Sequence, residues 1–275
     1  MSDTMGRIRR KIYREYKEVC HRILEKHQVN KTIVFIVGCQ RSGTTMLSKI
    51  FEADYNTKVY PEVSQLSTRD PNGRRLDPMP MIEKEIMKNN IRTIVAKPLV
   101  DSQNIVNLLN HFENSKAIWM FRHYKDVASS DLKKFGPENG IDNLRKLLHE
   151  KNDIWRSEGI SEDTLNLIKK LFKDDMSPYD AGALFWYSRN VLFFELDLAN
   201  NERVIMCKYE DLVSAPQRTI SDIYKFLAID FPKKKIASDV HQGSVRKGKS
   251  LDLSPEIEEL CENLLNRLQL SYNGK

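Results

Sequence analysis

Long apolar runs are absent from this 275-residue chain, and the excess of one charge over the other is small. The longest apolar stretch, residues 33–39, has seven residues, whereas a helix that spans a bilayer needs about 20. The opening sequence, MSDTMGRIRRKIYREYK, lacks the apolar core of a signal peptide. We therefore expect neither secretion nor a transmembrane segment, and we predict a cytoplasmic protein.

Cysteine is also scarce. The four cysteines, Cys20, Cys39, Cys207 and Cys261, form no CxxC pair and no metal-ligand spacing, and the six histidines do not cluster with them. This usage is typical of a reducing compartment, and we expect no metal. The formal charge of +6 is small for a chain that is 30% charged. Nucleic acid is therefore not expected as a partner, and a phosphate- or sulfate-bearing ligand would suffice.

Strand and helix patterns alternate along most of the chain. Runs rich in β-branched or aromatic residues predict strands at 32–37, 93–96, 117–121 and 203–207. Helical patterns follow them at 43–54, 102–112, 124–134 and 216–228, and a last helix is expected over about 255–269. This alternation predicts an α/β fold in three layers, with a central parallel sheet flanked by helices.

Two segments depart from this alternation. Residues 137–200 are helical and strongly charged, and we interpret them as an insertion over the ligand-binding edge of the sheet. Residues 7–27 predict an amphipathic helix whose apolar stripe consists of Ile8, Ile12, Tyr16, Val19 and Ile23. Such a helix packs on its own domain or binds a partner or a membrane surface. The predicted organisation is an N-terminal helix within 1–30 and one domain over 31–275.

The loop after the first predicted strand, residues 38–45, reads GCQRSGTT. Its glycines, Gly38 and Gly43, have the spacing of a P-loop, in which backbone N–H groups and a helix N-terminus bind phosphate. A P-loop carries Lys directly after its second Gly, but here Thr44 has that position and the cation is Arg41. The loop therefore suits a shorter anion than a pair of phosphates with Mg²⁺. An ordinary tight turn is the alternative.

Four segments, in order, resemble motifs of the sulfotransferases that use 3′-phosphoadenosine-5′-phosphosulfate (PAPS). The matches are FIVGCQRSGTTML to the 5′-phosphosulfate loop, WMFRHYKDVASS (119–130) to the 3′-phosphate motif, KYEDL (208–212) with Pro216 to the YEDL…P segment, and RKG (246–248) to the late RKG loop. The similarity covers about residues 31–270. It implies a P-loop-like fold and transfer of a sulfuryl group from PAPS to a hydroxyl, less often an amine, with release of 3′,5′-ADP and no metal.

The resemblance also assigns residues to PAPS. The expected contacts are Arg41, Ser42, Gly43, Thr44 and Thr45 for the 5′ end, Arg122 and Ser130 for the 3′-phosphate, Tyr209 for the adenine, and Arg246, Lys247 and Gly248 for a second anion clamp. Arg122 alternatively forms an ion pair with a neighbour such as Asp126. Tyr209 alternatively is an ordinary half-buried aromatic residue, and 246–248 a solvated basic run. Met46 replaces a Trp that stacks on adenine in many cytosolic members.

Catalytic roles are implied for Arg41, Lys97 and Glu62. Lys97 resembles the lysine that stabilises the bridging oxygen as it leaves, unless it is a solvent-exposed strand end. Cytosolic members carry a His base two residues later, where this chain has Leu99. Glu62 has the position of the Glu base in glycan- and tyrosine-modifying members, and a partly desolvated carboxylate suits that role. It is alternatively an exposed acid after a proline turn, with His241 and His111 as lesser candidates for the base.

Two other functions fit parts of the sequence. A nucleoside-triphosphate kinase would share the fold, but Thr44 replaces the P-loop Lys and no Mg²⁺-binding Asp is evident at a strand end. A catalytically inactive nucleotide- or glycan-binding module would leave Glu62 and Lys97 without a role. The sequence selects no acceptor among glycans, small molecules, lipids and peptides, and no oligomeric state.

Overall fold

A single parallel sheet forms the centre of the protein. The computed structural model describes residues 2–24, 30–150, 154–232, 236 and 251–274. Its five strands are β1 (Thr32–Gly38), β2 (Thr57–Tyr60), β3 (Thr93–Ala96), β4 (Ser115–Phe121) and β5 (Val204–Lys208). They are ordered β2-β3-β1-β4-β5, and all neighbours pair in parallel. The predicted parallel α/β sheet is confirmed.

The strand β2 is missing from the sequence prediction. It is only four residues long, TKVY, and lies at one edge of the sheet as described, where it pairs with β3. Its end residues Thr57 and Tyr60 are buried and the two between them are half-buried. Four residues are too few for a periodic pattern to be recognised, so nothing in the sequence separated this strand from a loop.

Helices surround the sheet. They are α1 (Ser2–Leu24), α2 (Thr44–Ala53), α3 (Met79–Met87), α4 (Ile105–His111), α5 (Tyr124–Phe135), α6 (Glu138–His149), α7 (Glu162–Leu171), α8 (Pro178–Asn190), α9 (Leu192–Glu195), α10 (Tyr209–Ser214), α11 (Pro216–Leu227) and α12 (Pro255–Asn273). Short 3₁₀ turns occupy Leu99–Asn104, Ile154–Arg156 and Leu198–Asn200. The last helix begins at Pro255 as predicted and continues beyond 269. Among the described residues, no helix is both long and apolar enough to cross a membrane.

The two faces of the sheet bury separate cores. Side chains alternate across a strand, so Phe35 and Val37 of β1 face one core, together with residues of α4, α6, α8 and α12. Val34 and Ile36 face the other, which is completed by α2 and α11. Helices therefore cover both faces of the sheet, and the fold has three layers.

The segment 137–200 packs in the first of these cores. Its central helix α8 is buried along residues 180–190 and packs against α5, α6 and α12. At its C-terminal end, Arg189 donates to Gln103 Oε1 at 2.9 Å, and Gln103 lies in the 3₁₀ turn that follows β3. The segment thus shares its core with the sheet and also reaches the edge where the strands end.

The N-terminal helix α1 contacts the domain through a polar face. Lys17 is buried, and its Nζ donates to the carbonyl oxygens of Glu52, Asp54 and Thr57, each at 2.8 Å. The apolar stripe of the helix is exposed: Ile8, Ile12, Tyr16, Val19 and Ile23. The helix therefore packs on its own domain, but the predicted apolar stripe is not the face that packs. Hydrogen bonds to the last turn of α2 and the start of β2 hold the helix instead.

Candidate active site

The strands β1 and β4 lie side by side at the middle of the sheet. The chain leaves β1 toward β2 and leaves β4 toward β5, so the two connections run to opposite sides. In open α/β sheets, ligands bind at the carboxyl ends of the strands at such a switch point. Residues 39–43 follow β1 and Arg122 follows β4. Topology thus brings the predicted anion loop and the predicted 3′-phosphate motif to one crevice.

The glycines of the loop are required by close contacts. Gly38 has φ 119°, and a Cβ there would lie 2.3 Å from the carbonyl oxygen of Met120. Gly43 has φ 91°, and its Cβ would lie 2.3 Å from Cδ2 of Tyr209. Between them, Arg41 has the left-handed φ of 66°, which is uncommon for a residue with a side chain. The loop is therefore a tight turn that neighbouring segments enclose.

The loop ends at the N-terminus of α2. The amide of Ser42 donates to the carbonyl of Cys39 at 3.3 Å, which closes the turn. The Ser42 hydroxyl is buried and has no hydrogen-bond partner among the described residues. The first turn of α2 contains no acidic residue, so its N–H groups and the positive end of its dipole suit an anion.

Arg41 reaches across the crevice to α5. Its Nε and Nη2 donate to the Ser130 hydroxyl at 3.1 and 3.0 Å, and its guanidinium carbon lies 5.9 Å from the centre of the Phe135 ring. The structure therefore joins a residue predicted for the 5′ end of PAPS to one predicted for its 3′-phosphate. The predicted sites for the 5′ end and for the 3′-phosphate of PAPS are therefore adjacent at this contact.

Arg122 is buried at the carboxyl end of β4. Its guanidinium pairs with Asp126 at 3.3 Å, donates to the carbonyl of Arg41 at 3.4 Å, and lies 4.3 Å from the centre of the Tyr209 ring. The ion pair with Asp126 that the sequence allowed is thus present, although both partners are buried. The indole N–H of Trp186 donates to the carbonyl of Arg122 at 3.0 Å, so α8 of the insertion supports this residue.

The segment 208–212 contacts both the anion loop after β1 and the residues that follow β4. Tyr209 is buried between the Arg122 guanidinium and Gly43, so it is no half-buried loop residue. The carboxylate of Glu210 accepts from the backbone N–H of His123 at 3.1 Å. Three of the four predicted motifs therefore lie in contact with one another: the loop 38–45, residues 119–130 and residues 208–212.

Lys97 lies at the same edge, one residue after β3. Its Nζ donates to Thr45 Oγ1 at 3.2 Å and lies 3.8 Å from Glu62 Oε2. Burial lowers the pKa of Lys97 below its ordinary value, the negative charge of Glu62 opposes that change, and the positive charge of Arg41 adds to it. Lys97 is thus not a solvent-exposed strand end, and the Glu62 side chain is only one-quarter exposed.

The remaining candidates lie elsewhere. His111 is in the last turn of α4, at the opposite edge of the sheet, where its Nε2 lies 3.4 Å from Glu83. His241 and the segment 246–248, which holds Arg246, Lys247 and Gly248, lie outside the described residues.

Several supporting residues escaped the sequence analysis. The Ser102 hydroxyl accepts from the N–H of Gly38 at 3.1 Å, and Gln40 donates to Asp131 at 3.1 Å. Burial raises the pKa of Asp131. Arg189 is buried, and burial lowers its pKa to about 10. An arginine inside an otherwise apolar helical stretch was a usable signal for Arg189, whereas single polar residues such as Ser102 gave none.

An anion-binding loop at the switch point of a parallel sheet defines an α/β protein that binds phosphate or sulfate esters. Residues 31–263 match the model of the sulfotransferase domain family, and the chain belongs to that family. It is accordingly a transferase that moves a sulfuryl group from PAPS to an acceptor, as the motifs predicted.

Solved structures with a similar fold were also found. The chain is similar to the sulfotransferase domain from the curacin biosynthetic pathway, with 17% identity, a TM-score of 0.55, and coverage of 88% of this chain and 99% of that one. It is also similar to the sulfotransferase domain of the Synechococcus PCC 7002 olefin synthase (17% identity, TM-score 0.49, 88% and 98% covered). A third similar structure is mouse sulfotransferase SULT7A1 complexed with PAP (16% identity, TM-score 0.42, 91% and 88% covered). The first of these establishes the fold. No curated protein matched the chain.

Proposed function

We propose that this sulfotransferase acts on a hydroxyl acceptor, with Glu62 as general base and Lys97 as the cation that stabilises the leaving oxygen. One observation carries the proposal: Thr45, Lys97 and Glu62 follow one another across the crevice at 3.2 and 3.8 Å. A carboxylate and an ammonium group beside an anion-binding loop are the two charges that this reaction needs.

The donor site is built from the loop and α5. The amides of residues 41–45 and the N-terminus of α2 would hold the 5′-phosphosulfate. The Ser42 hydroxyl, which has no partner in the described parts of the chain, suits the same group. Arg122 and Ser130 would hold the 3′-phosphate, with Tyr209 beside the adenine. Residues 246–248 are proposed as the second clamp from the sequence resemblance alone.

The proposed reaction is a displacement at sulfur. PAPS supplies a sulfuryl group that is activated by its bond to phosphate. The acceptor oxygen forms a bond to sulfur while the bond from sulfur to the bridging oxygen breaks, and the electron pair of that bond stays with the phosphate. Lys97 stabilises the negative charge that develops on the bridging oxygen, and Arg41 faces the transferring group. Glu62 takes the proton of the acceptor hydroxyl.

The acceptor would enter at the carboxyl edge, between Glu62 and the insertion. We propose a hydroxylated glycan, small molecule, lipid or peptide, all of which present the nucleophile that this site requires. The four cysteines are free, and three of them are buried. This usage supports our proposal of a cytoplasmic enzyme.

The test is transfer from labelled PAPS in the presence of EDTA, against a panel of phenols, glycans, hydroxylated lipids and tyrosine peptides. We expect at least one labelled product and release of 3′,5′-ADP in equal amount. The control is heat-inactivated protein. Transfer only to amines, with hydroxyl compounds inert, would contradict the proposed acceptor class.

A further inference from the structure

The exposed apolar stripe of α1 lies away from the face of the helix that contacts the rest of the domain. Its five apolar side chains, Ile8, Ile12, Tyr16, Val19 and Ile23, are 53, 61, 58, 49 and 73% exposed. Lys17 and His21, which contact the domain, are 2% and 1% exposed. At 3.6 residues per turn, Lys17 lies about 140° around the helix from Ile12. The stripe therefore points into solvent, and within the described part of the chain no contact with the domain explains its composition.

The stripe is continuous rather than scattered. Single exposed apolar residues are normal on a protein surface, whereas a contiguous apolar patch marks an interaction site. From Ile8 to Ile23 the row is about 22 Å long at 1.5 Å per residue. The opposite face is fixed through Lys17 and an ion pair between Glu18 and Lys58 at 3.2 Å. A partner would thus meet a helix that is already formed and oriented.

The charges beside the stripe select the partner. The helix carries seven Lys or Arg against three Asp or Glu. Lys17 is committed to backbone carbonyls and Arg14 pairs with Glu52 at 3.4 Å. Lys11 and Arg22 are exposed along one border of the stripe, with Glu15 between them. The net positive charge of the helix would repel a second copy of the same helix and attract an anionic surface.

We propose that α1 is an interfacial anchor that lies flat on an anionic lipid bilayer. An apolar face bordered by Lys and Arg is the pattern of helices that lie in the headgroup region with the apolar face toward the acyl chains. The five stripe side chains would enter the bilayer surface, while Lys11 and Arg22 contact lipid phosphates. The site at the carboxyl edge stays free, because α1 docks where α2 ends and β2 begins, at the opposite edge of the sheet.

The experiment is flotation of the full chain with vesicles of phosphatidylcholine alone or with 30% phosphatidylserine. We expect binding to the phosphatidylserine vesicles that weakens at least tenfold in 0.5 M salt. The double variant Ile12→Asp/Ile23→Asp should bind at least tenfold more weakly. The matched control is Leu270→Asp on α12, because Leu270 is 74% exposed; this variant should bind like the wild type. Equal melting temperatures would show that all variants are folded.

Three results would overturn the proposal. Failure to bind phosphatidylserine vesicles would exclude a lipid anchor, and equal binding to phosphatidylcholine alone would exclude an anionic surface as the partner. Concentration-dependent self-association without lipid that is abolished by Ile12→Asp/Ile23→Asp would identify the stripe as an interface between copies of this chain.

Discussion

At the scale of single residues, the site depends on charges that are kept close together under burial. Lys97 and Glu62 follow neighbouring strands, β3 and β2, and the N–H of Lys97 donates to the carbonyl of Tyr60 at 3.0 Å. The backbone pairing of these strands therefore fixes the distance between the two side chains. The two residues can be tested separately, because each is proposed to act on a different oxygen. Lys97 would act on the bridging oxygen that leaves, and Glu62 on the acceptor hydroxyl.

Glu62→Gln tests the general base. The amide keeps the shape of the side chain but accepts no proton, so we expect turnover to fall by about 10²–10⁴. PAPS affinity should be unchanged, because the donor contacts lie elsewhere. Steady-state kinetics and calorimetric titration measure the two quantities. Glu83→Gln is the matched control, since Glu83 is exposed on α3 and lies beside His111, at the opposite edge of the sheet. Turnover close to that of the wild type would exclude Glu62 and direct attention to His241.

Lys97→Ala tests the stabilising cation through pH dependence. Lys97 acts in its protonated form, and burial lowers its pKa, so wild-type activity should decline at a pH below the ordinary lysine range. The variant should be slower and should lose this alkaline decline. Profiles of kcat/KM against pH measure both. An unchanged alkaline decline in Lys97→Ala would assign that decline to another group.

The proposed contact of Arg122 with the 3′-phosphate is best tested by substituting lysine for this arginine. Arg122→Ala would break the buried ion pair with Asp126, and removing one member of a buried pair typically costs about 3–5 kcal/mol of stability. Arg122→Lys keeps the charge and removes the planar fork that binds phosphate through two hydrogen bonds. We expect roughly ten- to a hundredfold weaker binding of 3′,5′-ADP, with little effect on 5′-AMP. Equal losses for both nucleotides would show that Arg122 does not read the 3′-phosphate.

At the scale of secondary-structure elements, Lys17 ties α1 to the end of α2. The variant Lys17→Met removes the ammonium group that donates to three carbonyls, and we expect α1 to open more readily by about 2 kcal/mol or more. Hydrogen exchange of the α1 amides measures this opening. Lys11→Met is the control, because Lys11 is exposed on the same helix. Equal exchange in both variants would show that Lys17 does not hold the helix.

The same lysine predicts a pH dependence. Burial lowers the pKa of Lys17 from 10.5 to about 8. Between these values the unfolded state binds more protons than the folded one, so stability rises with pH. The free energy of unfolding of the wild type should therefore increase relative to Lys17→Met between pH 8 and 10.5, by up to about 3 kcal/mol at 1.4 kcal/mol per pKa unit. Denaturant titration measures this difference in the free energy of unfolding. A difference that stays constant between pH 8 and 10.5 would contradict the lowered pKa of Lys17.

The elements also show what the sequence could predict. Strongly patterned strands such as β1 and β4 were recognised because they are buried on both faces, and the order of strand, loop and helix located the anion loop. The short edge strand β2 carries no such pattern. The contact of Arg41 with Ser130 joins residues far apart in the chain, and periodicity contains no information on such pairs. The stripe of α1 was visible in the sequence, but its direction depends on the buried contacts of Lys17.

At the scale of the whole molecule, donor binding should stabilise the fold. A ligand that binds only the folded state at 100 times its Kd adds about 2.7 kcal/mol. We expect PAPS and 3′,5′-ADP to raise the melting temperature and ATP with Mg²⁺ to raise it much less, because the loop has Thr44 where a kinase has Lys. Differential scanning fluorimetry measures these shifts. An equal shift with ATP and Mg²⁺ would favour the kinase interpretation.

The hydrogen bond from Trp186 to the carbonyl of Arg122 limits how this enzyme can be re-engineered. Segment 137–200 borders the proposed acceptor entrance, so it is the natural piece to graft from a relative when a new acceptor is wanted. The same graft would remove the indole that supports Arg122 and the helix that fills the core above α5. A chimera made at these boundaries would change donor affinity together with acceptor preference. Retaining Trp186 and its neighbours on α8, and exchanging only the surrounding helices, would separate the two properties.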